Sequence, residues 1–240
     1  MNSDKKTAII AGVLFIIATA ASLLSTVFWN PILDSPDYLV KISANENQVM
    51  LGALFLLIGG LSSAGIAISL YPILRRFNEG LALGSVGFRL IEGMLYIVGV
   101  IGVLLLVTLS QTFVKAGAPD VAYFHTVGTV LRAEPNWASL TAIFAFYLGA
   151  LMYYLVFYQS GLIPRWLSGW GIVGVILGLV AATFVLFGVT SYMSTTQVVL
   201  NLPIAVQEIV LAVWLIVKGF NPSAIASGSA KTRQAVLTAT

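Results

Sequence analysis

Six stretches of this 240-residue chain are long, apolar and almost free of charge: Thr7 to Asn30, Val49 to Leu74, Leu81 to Val114, Trp137 to Gln159, Trp166 to Val189 and Val198 to Val217. A helix needs about 20 consecutive apolar residues to cross the hydrocarbon layer of a bilayer, and each stretch supplies them. A soluble core could not absorb so much apolar surface. Hydrophobic residues make up 59% of the chain and charged residues 9%, against about 25% charged in an average soluble domain; mean hydropathy is +0.98. In lipid every backbone amide must be satisfied inside the spanning structure, so runs of this length read as helices. The expected fold is an all-α integral membrane bundle of six transmembrane helices. A single transmembrane domain occupies residues 1–221, and the Ser-, Ala- and Thr-rich residues 222–240 read as a disordered cytoplasmic tail.

Orientation follows from the basic residues. Eight of them, Lys5, Lys6, Arg75, Arg76, Arg165, Lys218, Lys231 and Arg233, flank span ends on the side of the N-terminus; Lys41, Lys115 and Arg132 lie on the other. Eight against three places both termini in the cytoplasm. Lys5 and Lys6 followed by an apolar run and Ala18-Thr19-Ala20 also resemble a signal peptide, but apolar residues continue to Trp29, which favours a retained span. Trp29, Trp137, Trp166, Trp170 and Trp214 fall near span ends and read as interfacial anchors. In the two long outer loops, Ser35-Pro36 and Pro119-Asp120 look like helix starts. Val121, Phe124, Val127 and Leu131 recur at helical spacing, so short helices on the outer surface are expected in loops 1 and 3.

Only three Asp, Glu, Lys or Arg residues interrupt the spans: Arg89 and Glu92 in the third and Glu208 in the sixth. From the rise of a helix, Arg89 lies about 12 Å, Glu92 about 16 Å and Glu208 about 14 Å from the cytoplasmic ends of their spans, within the ~30 Å hydrocarbon layer. Arg89 and Glu92 are three apart and share a helix face. An unpaired charge at this depth costs roughly 2.5–3.5 kcal/mol on insertion scales, so the three groups are expected to meet between the third and sixth helices. One arginine against two glutamates leaves one carboxyl without a cationic partner, and that carboxyl is expected to carry a proton at pH 7. Tyr96, Asn201 and Gln207 occupy positions from which they can complete the network, and Pro203 frees a backbone carbonyl near it.

Several motifs fail on context. Gly169-x-Gly171-x-x-Gly174 has the letters of a dinucleotide fingerprint, yet no strand precedes it and it opens an apolar span; with Gly178 it reads as a helix-packing stripe. Ser62 and Ser63 suggest an intramembrane serine nucleophile, but the single histidine, His125, belongs to an outer loop and reads as a solvated surface residue. With no cysteine and one histidine, Cys/His zinc sites lack ligands, and no metal site or cofactor is expected. No basic stripe points to nucleic acid.

Three motifs together resemble a known family: Phe88-Arg89-Leu90-Ile91-Glu92, the turn from Gly161-Leu162-Ile163-Pro164-Arg165-Trp166 to Gly171, and Pro203 through Glu208 to Trp214-Leu215-Ile216-Val217-Lys218-Gly219-Phe220. They are similar to the bacterial polytopic membrane family defined as a domain of unknown function, DUF4386, from about Thr7 to Asn221. The resemblance implies a multi-pass protein of the bacterial cytoplasmic membrane and supplies no substrate or catalytic residue.

Three functions are compatible with these features. The first is small-solute or proton-linked transport, or ligand binding, at the Arg89/Glu92/Glu208 centre, the partners being the bilayer and a small molecule or lipid. The second is an accessory or structural membrane protein whose ion pair fixes helix packing. The third is an intramembrane enzyme acting on a lipid-soluble substrate, although no nucleophile or cofactor motif accompanies the carboxylates.

Overall fold

The computed structural model describes residues 3–117, 121–191, 194–228 and 230. These residues are almost wholly helical: α1 (Ser3–Leu33), α2 (Tyr38–Ala44), α3 (Glu46–Leu74), α4 (Glu79–Lys115), α5 (Val121–Ser160), α6 (Arg165–Leu186) and α7 (Thr195–Val217). No strand occurs among the described residues. All but α2 are long and apolar enough to cross a membrane. Large apolar side chains such as Leu23, Val27, Leu61 and Met94 stay exposed along these helices, a surface that water would not tolerate and lipid tails would. Helix ends follow local chemistry. The Ser194 hydroxyl accepts from the Gln197 amide at the start of α7. Gly161 and Gly219, with φ of 67° and 71°, take the left-handed position just beyond α5 and α7.

The chain divides into two compact units. One comprises residues 17–61 and 93–142. Its core gathers Trp29, Ile32, Leu39, Ile42, Val49, Val103, Leu106 and Phe113. The short α2 is tied into this core: the Ser110 hydroxyl donates to the Leu39 carbonyl, and the Tyr38 ring fills the space left by Gly128. A short helix is thus present in loop 1, as α2, but it is packed into this core and not laid on a surface.

In loop 3 the structure differs from expectation. Residues 121–131 are helical, but they form the start of the 40-residue α5 instead of a separate surface helix. Phe124 and Leu131 pack against the buried core, which favours continuing the helix over laying it on a surface. The expected start at Pro119-Asp120 lies outside the described residues. Two further readings are corrected in this unit. Trp29 is no interfacial anchor, being buried with its indole N–H donating to the Val49 carbonyl at 2.9 Å. His125 is half-buried, its ring 5.7 Å from that of Tyr38 and 6.4 Å from that of Phe113, not a solvated residue.

The other unit comprises residues 1–16, 62–92 and 143–240. Here α6 packs along α7, and the glycines of α6 explain how. A Cβ on Gly174 would lie 3.0 Å from that of Ile204, while Gly171 and Gly178 receive the rings of Tyr154 and Tyr147 from α5. The helix-packing reading of the glycine stripe therefore holds. At the N-terminal end, Arg76 pairs with Asp4 at 3.0 Å and ties α1 to the turn after α3. Residues 222–228 form a helical turn whose Gly228 meets the Phe77 ring, so the tail is ordered at least that far, contrary to the expected disorder from residue 222; residues 231–240 lie outside the described residues. Trp166 and Trp214 meet edge to face, and Trp166 is 56% exposed, as an anchor should be.

Candidate functional site

Arg89, Glu92 and Glu208 all belong to the second of these units. Arg89 and Glu92, one turn apart on α4, are joined by a 2.9 Å salt bridge from Nη1 to Oε2, and both are almost sealed, at 2% and 3% exposure. The same Glu92 oxygen accepts from the Ser63 hydroxyl of α3 at 2.5 Å. Ser63 is thus no nucleophile but a donor to the carboxylate. The arginine reaches this position because Gly149 on α5 offers no side chain: a Cβ there would lie 3.0 Å from Arg89 Cγ.

Glu208 joins the centre through an intermediary. The Tyr153 hydroxyl of α5 donates to Glu208 Oε1 at 3.5 Å, and the face of the same ring lies 5.8 Å from the Arg89 guanidinium carbon. Phe146, one face of which lies 4.7 Å from that carbon, covers the guanidinium more closely. Arg89 is attracted electrostatically by both Glu92 and Glu208. Unlike Glu92, Glu208 remains partly exposed.

The supporting residues go elsewhere. Asn201 accepts from the Tyr147 hydroxyl and donates to the Gln197 carbonyl at 2.8 Å; Gln197 in turn donates to the Ala181 carbonyl of α6 at 2.7 Å. Gln207 accepts from the Tyr154 hydroxyl and donates to the Leu167 carbonyl at 3.0 Å. These amides and tyrosines form a ladder down α5, α6 and α7, beside the charged groups. Tyr96 belongs to the other unit, packed where Gly60 leaves room. Pro203 lies within α7, as expected.

Two buried polar atoms of this unit stand apart. Arg89 Nε and Ser85 Oγ have no hydrogen-bond partner among the described residues, and Ser85 is 1% exposed. Ser85 precedes Arg89 by four residues, so both lie on one face of α4. A separate cavity of about 310 Å³ opens at the end of α7, lined by Leu162, Pro164, Trp214, Lys218 and Asn221; none of Arg89, Glu92 and Glu208 lines it.

Six apolar helices carrying a buried cluster of ionisable groups define a polytopic α-helical membrane protein. More narrowly, the chain belongs to the DUF4386 family, a domain of unknown function, whose family model matches residues 10–219. No curated protein and no solved structure matches it.

Proposed function

We propose that this protein binds, and moves in step with protons, a small anionic solute at the Arg89/Glu92/Glu208 centre. The observation that carries this reading is the buried Nε of Arg89, which has no hydrogen-bond partner among the described residues. An N–H left without an acceptor in a medium lacking water is costly, and intramembrane ionisable groups that persist at such cost mark solute or proton pathways. Within this scheme Arg89 holds the anion, Glu92 and Ser63 fix the guanidinium, and Glu208, the more exposed carboxyl, exchanges the proton through its contact with Tyr153.

The test uses protein purified in detergent and titrated with acetate, phosphate, sulfate and glucose, following the unfolding midpoint at pH 5.5 and 7.5. At least one anion is expected to raise the midpoint of the wild type and of Glu79→Gln, but not of Arg89→Lys. Stabilisation by none of the three anions, or equal stabilisation of Arg89→Lys, rejects the reading.

The closed geometry of the Arg89–Glu92–Ser63 contact favours a second reading, an accessory protein in which the pair only locks α3 to α4. Under it, replacing Arg89 and Glu92 together by apolar residues leaves cellular function intact.

The proposed location is the cytoplasmic membrane of a bacterium with both termini inside, supported by the distribution of basic residues. Because the chain has no cysteine, a single Ser223→Cys substitution reports orientation directly. An impermeant maleimide applied to whole cells is expected to leave it unlabelled until the membrane is broken; labelling of intact cells reverses the topology.

A further inference from the structure

The cavity at the end of α7 takes no part in the charged centre, and its wall joins two chemistries. Leu162, Ile163, Phe220 and Pro222 supply apolar surface, while Trp214 and Lys218 add an indole and an ammonium. Its volume of about 310 Å³ falls at the lower end of the range of ligand pockets, roughly 300–1,000 Å³. Hydrogen bonds hold the wall. The Asn221 backbone N–H donates to the Leu162 carbonyl at 2.8 Å, its side-chain amide donates to the Gly161 carbonyl at 3.3 Å, and its side-chain oxygen accepts from the Ser223 amide at 3.1 Å. The space is therefore built by the fold and needs no ligand to form it.

Charge decides what fits. The amino end of α6, capped by Pro164, and the carboxyl end of α7 both border the cavity, and helix ends of about +0.5 and −0.5 charge largely cancel. Side chains set the sign, and among the described residues that line the cavity Lys218 alone is ionisable. A lysine at the carboxyl end of a helix often does no more than complement its dipole; this one also borders a preformed space. No carboxylate neutralises it, since the salt bridges among the described residues are those of Arg76 with Asp4 and Arg89 with Glu92. From Ile143 to Thr240 the sole acidic residue is Glu208, about 15 Å along the helix from Lys218. Arg165, by contrast, directly follows Pro164.

Position selects the carrier of the anion. The cavity lies at the end of a span, where Trp214 meets Trp166 edge to face and Trp166 reads as an interfacial anchor. The exposed apolar stripe of α7 at Val206, Val213 and Val217 runs up to this level, one position round the helix from Trp214 and Lys218. A free anion gains nothing from apolar walls. A phospholipid can set its phosphate on the ammonium, its glycerol against the apolar wall and an acyl chain along the valines.

We propose that this cavity seats the headgroup of an acidic phospholipid, one whose phosphodiester has no amine of its own to compensate it. A zwitterionic lipid brings a second ammonium beside Lys218 and is disfavoured. This site is independent of the Arg89 centre.

Native mass spectrometry of the full chain released from detergent tests it, with phosphatidylglycerol, phosphatidylethanolamine and glycerol 3-phosphate titrated separately. One phosphatidylglycerol is expected to stay bound at concentrations where phosphatidylethanolamine does not. Lys218→Gln should weaken that binding about fivefold or more, the contribution of one cation near an anionic lipid surface, and Lys218→Arg should retain it. Lys115→Gln, which removes an exposed lysine at the end of α4, should change little. Lys218 is exposed, so an unchanged unfolding midpoint without lipid is expected for its variants. Equal retention of the two lipids, equal weakening by Lys218→Gln and Lys115→Gln, or loss of binding in Lys218→Arg overturns the site. Glycerol 3-phosphate binding as tightly as the lipid marks a soluble phosphate as the ligand and overturns the lipid assignment.

Discussion

Replacing Arg89 with methionine is expected to lower stability by about 3–5 kcal/mol, because it strands Glu92 as a buried carboxylate with only the Ser63 hydroxyl for company. The more informative measurement is the double variant Arg89→Met, Glu92→Leu. Removing both charges removes the desolvation cost of both, so the double variant should recover most of the stability lost by the single one. Thermal or SDS-induced unfolding in detergent reads the difference. Equal destabilisation by single and double variants would mean that the arginine contributes through packing against Phe146 and Tyr153, not through its charge. A double variant that is stable but inactive in cells separates the functional reading from the purely structural one.

Gly178→Ala is expected to cost about 1–3 kcal/mol, the usual range for overpacking a tight contact, whereas Gly102→Ala should be nearly neutral. On distance alone the order would be reversed. A Cβ on Gly102 would fall 1.6 Å from Glu134 Oε2, and one on Gly178 would fall 2.1 Å from Tyr147 Cζ. What decides is whether the neighbour can yield. Glu134 Oε2 has no partner among the described residues and sits at the tip of a flexible side chain, so it can swing away. The Tyr147 hydroxyl is held by Asn201, itself fixed by Gln197, and moving the ring breaks that chain of bonds. Unfolding midpoints of the two alanine variants check the ranking, and a larger loss at Gly102 would show that steric overlap outweighs tethering.

Much of this architecture could be read from the residues. Membrane class and the six spans rest on the length of the apolar runs, a property of the sequence itself. The Arg89–Glu92 pair was equally legible, because an i, i+3 spacing on a helix is a local matter. The link to Glu208 was only half legible: the three charges do share a unit, but Tyr153 stands between them. Its part could not be read because Tyr147, Tyr153 and Tyr154 sit in an apolar run and look like ordinary lipid-facing or belt aromatics. The usable signal was spacing: Tyr147 and Tyr154 are seven apart, two turns on one face, and so are Asn201 and Glu208. Helical spacing alone lets Asn201 and Gln207 join the charged centre; which neighbouring helix they meet is a tertiary fact. Ser85 escaped notice because a lone serine in a membrane helix usually bonds its own backbone.

The amide and tyrosine ladder also bears on how the protein is made. The last span, α7, carries Gln197, Asn201, Gln207 and Glu208 on a single helix. Entering lipid alone, it would have to shed water from all four before finding any acceptor. Synthesis runs from the N-terminus, however, so the tyrosines of α5 and the carbonyls of α6 are already in place when the last span emerges. The final helix is thereby delivered to a waiting template, and its polar side chains need never face bare lipid.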